Sequence, residues 1–109
     1  MKARIPFHKR QVMYVPGVDG YDVQRTWRLR AVEDWASCDG ESVAGVSAFH
    51  TRTITVSRKP TTWMQVKTMV HEVTHVSCNE LSEEAVDRIA HNVTEALRLA
   101  QVLRPEYSA

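Results

Sequence analysis

His71-Glu72-Val73-Thr74-His75 is the stretch of this 109-residue chain whose residue types and spacing carry specific chemistry. It reads H-E-x-x-H inside a segment of helical period. Residues i and i+4 of a helix project from one face, so both imidazoles can reach a single cation. Glu72 is turned about 100° from His71, where it can touch a metal-bound water without being a ligand. A water on zinc ionises near neutral pH, and a carboxylate beside it can take the proton as the oxygen attacks a carbonyl. The pattern predicts His71 and His75 as zinc ligands and Glu72 as the general base of a hydrolytic site.

The flanking residues favour such a site over two structural histidines. Val66, Met69, Val73 and Val76 gather on a face centred roughly 180° from the midpoint of His71 and His75. The helix is thus expected to pack its back on the core and point both histidines away from it. A zinc site with an open position needs a third protein ligand. On a following helix, with Val86 at the centre of the buried face, Glu83 lies about 60° away, Asp87 about 100° and Glu84 about 160°. Glu83 is the better placed and Glu84 the alternative. Cys78 shares the histidine face but stands about 10 Å along the axis from His71, out of reach unless the helix breaks first. Position 81 is Leu, so the longer H-E-x-x-H-x-x-G-x-x-H pattern is not met.

These residues need elements to hold them. The first 60 residues read as strands and turns, with a β-branched and aromatic run at Gln11–Val15 that ends at Pro16-Gly17. Trp27, Leu29 and Ala31 alternate with Arg28 and Arg30, as in a half-buried strand whose arginines face solvent, with a short helix through Trp35 as the alternative. Asp39-Gly40 marks a turn, and the segment Val43–Ala48 pairs with Thr53–Val56 in a hairpin. After Pro60 the period becomes helical through Cys78, with Thr61 or Thr62 as N-cap. Ser82 caps a second helix that has Glu83 and Glu84 in its first turn and ends before Pro105. Its expected buried face is Val86, Ile89, Ala90, Val93, Leu97 and Ala100, and Trp35 and Trp63 are expected to anchor the core. The whole is a single α+β domain over residues 1–109: a small antiparallel or mixed sheet of about three to four strands in 1–60, then two packed helices in 61–104.

Composition narrows the function classes. The chain is 43% hydrophobic and 25% charged, which suits a globular domain rather than a disordered or fibrous one. No apolar run approaches the ~18 residues of a membrane span, and no secretory signal is apparent, so a cytoplasmic setting is expected. The net charge is +1, divided as +4 over residues 1–62 and −3 over 63–109, which falls well short of a nucleic-acid footprint. Cys38 and Cys78 are too few for a disulfide framework and read as reduced thiols. His50, Tyr14, Tyr21 and Tyr107 could each stabilise an oxyanion, but nothing in the spacing aims them at the metal.

The order of hairpin strand, Thr68-x-x-His71-Glu72-x-x-His75, then Glu83-x-x-Val86-x-x-Ile89-Ala90 resembles the minimal zincins of the ImmA/IrrE type. It also resembles the short zinc-peptidase-like proteins of bacteriophages and mobile elements. The match covers roughly residues 43–100, and H-E-x-x-H is its specific part. The resemblance implies zinc on His71, His75 and Glu83, Glu72 as base, a protein or peptide substrate, and regulatory cleavage of a specific protein in a bacterial or phage-infected cell. The competing expectation is a non-catalytic, metal-stabilised phage-type protein that recognises protein or nucleic acid. Glu72 discriminates, because a purely structural site needs no base at that position.

Overall fold

The computed structural model describes the backbone of residues 11–14 and 26–100, and the side chains of 27–100. The chain forms β1 (Gln11–Tyr14), β2 (Thr26–Val32), β3 (Ala36–Cys38), β4 (Glu41–Val43), β5 (Gly45–Ala48), β6 (Thr53–Ser57), α1 (Thr62–Ser77) and α2 (Glu83–Leu99). Strands followed by two packed helices make an α+β fold, as expected from the change of hydrophobic period at Pro60.

The main sheet has the order β1-β2-β6-β5. β1 runs antiparallel to β2, β2 parallel to β6, and β6 antiparallel to β5. On β2 and β6 the period-two pattern sends Trp27, Leu29, Ile54 and Val56 into the core, against Met69, Val73 and Val76 of α1. Arg28 and Arg30 are exposed on the other face. Ser47 lies opposite Ile54 and Gly45 opposite Val56, so both stand on the face that α1 covers.

The predicted hairpin forms as β5–β6, but its first strand is shorter than expected. Val43 belongs instead to β4, which pairs with β3 in a separate two-stranded sheet. Asp39 and Gly40 join those strands, with φ of 51° and 83°. Two successive positive φ values suit a tight antiparallel hairpin, and Asp-Gly is a pair that tolerates them. The alternative helix through Trp35 does not form: Trp35 lies in the connection between β2 and β3 and is 47% exposed rather than a core anchor.

The turn from β6 into α1 is held by a buried glutamine. The Gln65 side chain is 1% exposed, and its amide nitrogen donates to the carbonyls of Pro60 at 2.8 Å and Arg58 at 3.3 Å. This satisfies backbone acceptors where neither strand nor helix supplies a donor. The Thr61 hydroxyl accepts from the Met64 N–H as N-cap of α1, and Ser82 accepts from Ala85 as N-cap of α2. α2 buries Val86, Ala90 and Thr94; Ile89 and Val93, expected inside, are 37% and 40% exposed. The cause is a rotation of the buried face toward Thr94. Among the described residues α2 packs on α1, through the most extensive contact between any two elements, and has no comparable contact with a strand.

Candidate metal centre

His71 and His75 sit one turn apart on α1, with ring centroids 4.8 Å apart. The chain leaves α1 at Cys78 and enters α2 at Glu83, so only a five-residue connection separates the helices. That short return sets the first turn of α2 against the last turns of α1. Glu83 Oε1 lies 2.7 Å from His75 Nε2, and Glu83 Oε2 lies 3.3 Å from His71 Nε2. One ligand atom from each of the three residues falls within 4.8 Å of the others.

The three residues form a group that could hold a metal ion. Two imidazole nitrogens and a carboxylate oxygen are donors for a divalent cation of borderline hardness. Ligands at ~2.1 Å on a tetrahedral centre stand about 3.4 Å apart, which the 3.3 Å between His71 and Glu83 matches. The 2.7 Å between His75 and Glu83 is instead a direct contact that would have to open around a cation. All three residues line the larger of the two cavities beside the group. Glu84, the alternative third ligand, is exposed and lies outside the group, as does Cys78, the exposed C-cap of α1.

His71 presents its second ring nitrogen to α2. Asp87 Oδ1 lies 3.9 Å from His71 Nδ1 and 3.8 Å from Lys67 Nζ. Lys67 and His71 are four apart on α1, as are Glu83 and Asp87 on α2, so the helices face each other through two matched rows. At 3.9 Å the Asp87 carboxylate faces the ring as a nearby charge rather than as a hydrogen-bond acceptor. Sequence reasoning weighed Asp87 only as a third-ligand candidate, about 100° from the buried face, and the structure leaves it outside the three-residue group. The i, i+4 spacing from Glu83 was the usable signal for its place facing His71.

Glu72 is not among the three clustered residues. Its Oε1 accepts a hydrogen bond from the Ser47 hydroxyl of β5 at 2.7 Å. Two cavities meet beside it. One, of about 230 Å³, is lined by Ala44, Met64, Lys67, Thr68 and Asp87; the other, of about 380 Å³, by Cys38, Val46, Ser47, Phe49, His75 and Glu83. Gly45, His71 and Glu72 border both. Phe49 is 52% exposed yet held in place, its ring edge-to-face with Trp27 at 5.1 Å. Sequence reasoning missed Ser47. Its signal was a polar residue at the in-facing parity of a strand, opposite Ile54.

His50, a weak oxyanion candidate, is exposed and does not line either cavity. Tyr14, Tyr21 and Tyr107 lie outside the residues whose side chains are described. Cys38 and Cys78 are free thiols. No described helix is long and apolar enough to cross a membrane. Comparisons of the chain with protein-family models, with curated proteins and with solved structures each gave no match.

Proposed function

We propose that this chain is a zinc-dependent metallopeptidase acting on an extended segment of a specific protein substrate. His71, His75 and Glu83 hold the metal, and Glu72 is the general base. The observation that carries this reading is the convergence of those three ligand atoms within 4.8 Å, with Glu72 bordering the cavity that all three line. When bound, zinc supplies a Lewis acid that polarises a carbonyl and acidifies a water.

The remaining work falls to the chain. Glu72 takes the proton of the attacking water and delivers it to the departing amine, since one carboxylate can serve as base and then as acid. β5 is the edge strand of its sheet, and its backbone can pair with an extended peptide laid beside the site. The cavities on either side of Glu72 then receive side chains from both sides of the scissile bond. The larger one, with Val46 and Phe49, takes an apolar residue. The resemblance to minimal zincins supports cleavage of a chosen protein over general digestion.

The test is metal content by mass spectrometry on untagged protein, with His71→Ala and Glu72→Gln alongside. The expected result is about one zinc per chain, lost in His71→Ala and kept in Glu72→Gln, with peptide cleavage only in the wild type. A wild-type chain that takes up no zinc when zinc is supplied overturns the proposal. Zinc retained with no difference in hydrolysis between wild type and Glu72→Gln points instead to a structural metal in a binding protein.

A further inference from the structure

Ser47 puts a hydroxyl on the sheet face that carries Leu29, Ile54 and Val56, directly across from the fully buried Ile54. The hydroxyl is half-buried at the edge of the larger cavity, and its partner is Glu72 Oε1 at 2.7 Å. Two residues earlier on the same face, Gly45 lets α1 come close. A Cβ on Gly45 would lie 2.4 Å from Thr68 Cγ2 and 3.4 Å from Glu72 Cγ. The stem of Glu72 therefore runs over Gly45, and its tip is tied to Ser47. Both constraints come from β5, the strand that borders the two cavities, and the hydroxyl's bond goes to Glu72 rather than to a metal ligand.

We infer that Ser47 is the positioning residue of this site, binding one oxygen of Glu72 so that the other, Oε2, is presented as the proton acceptor. The inference rests on the metallopeptidase reading and deepens it. β5 then serves the site twice, since the strand that receives the substrate also holds the base. A charge-assisted hydrogen bond is short and directional, which is what restricting a carboxylate with three rotatable bonds requires. Because Ser47 holds the base and not a ligand, its loss separates two properties that a general structural defect would lower together.

The experiment reads zinc affinity, by competition with a chelator, and the binding of acetohydroxamic acid to the zinc-loaded chain, by calorimetry. This probe chelates zinc and passes its O–H proton to a neighbouring base, so it reports on the carboxylate without a substrate. Ser47→Ala is expected to keep zinc affinity within about two-fold while weakening the hydroxamate about ten-fold, the size of one hydrogen bond to a charged group. Ser47→Thr, which keeps the hydroxyl, is expected to recover the affinity to within about three-fold. In a Glu72→Gln background, Ser47→Ala should cause little further loss. Unchanged hydroxamate binding in Ser47→Ala, or zinc and hydroxamate affinity falling in parallel, overturns the role. Failure of the metallopeptidase reading is visible separately, as a wild-type chain that takes up no zinc, and it removes the role of Ser47 with it.

Discussion

α1 lies between the sheet and α2, whereas α2 packs on α1 and, among the described residues, has no comparable contact with any strand. The two helices are almost the same length, 16 and 17 residues, and both are capped by a hydroxyl at the N-terminus. Their surroundings set them apart. α1 places Val66 in the interior and Met69, Val73 and Val76 on the sheet, while α2 leaves Ile89, Val93 and Leu99 substantially exposed. The candidate ligands divide along the same line. His71 and His75 sit on the firmly held helix with side chains 21% exposed, and Glu83 sits on the one-sided helix with its side chain 75% exposed. A cation shared by these residues would fasten the weaker element to the stronger one. Metal affinity and the local stability of α2 should then be linked.

That contrast can be broken most forcefully from the sheet side. Ile54 is fully buried between the strands and α1, so Ile54→Ala should cost about 4 kcal/mol, with or without zinc, in denaturant unfolding. A loss that appeared only in the metal-free protein would mean that the sheet and α1 do not form an independent core. Zinc comes next in size. At a free concentration about 100 times Kd it should stabilise the chain by about 2.7 kcal/mol, and His71→Ala should abolish the gain. Amide exchange would show where the gain lies: protection should rise in the first turns of α2 well before it changes in β6. Equal gains in both elements would contradict the division drawn here.

Smaller changes sharpen the comparison. Asp87→Asn removes the carboxylate facing His71 Nδ1 and should weaken zinc binding about 10-fold or more, read by chelator competition, while the metal-free Tm stays nearly unchanged. A shift in the metal-free Tm without a change in affinity would reassign Asp87 to its pair with Lys67. Ser82→Ala deletes the cap of the α2 first turn, where Glu83 sits, and should cost about 1 kcal/mol. Its effect should be larger without zinc than with it, since a cation on Glu83 would hold the same turn. Thermal melts in zinc and in chelator would test that difference.

Much of this arrangement was legible along the chain because it depends on short-range repetition. The 3.6-residue period of Val66, Met69, Val73 and Val76 determined that α1 would turn its back to the core and carry His71 and His75 on the other side. Ser82 followed by two acidic residues determined where α2 starts, and Asp39-Gly40 where a tight turn falls. What alternation could not determine was which strands share a sheet. Val43 and Gly45 have the same parity, yet one pairs with β3 and the other with β6, a choice made by long-range hydrogen bonding. Trp35 looked like a core anchor by residue type, but its place beside a separate two-stranded sheet leaves it half in solvent.

The sequence alone determined the pair of histidines, the acid beside them and the helix that presents them, because spacing on one helix is a local property. The tertiary structure decided everything that crosses between elements. It selected Glu83 over Glu84, since the five-residue return brings one face of α2 onto α1 and turns the other away. It brought Asp87 to within 3.9 Å of His71, and it tied Glu72 to Ser47, 25 positions earlier in the chain. Those partners depend on the angle between two helices and on the register of β5 against β6. Both are set by packing the whole core and by no single stretch of residues.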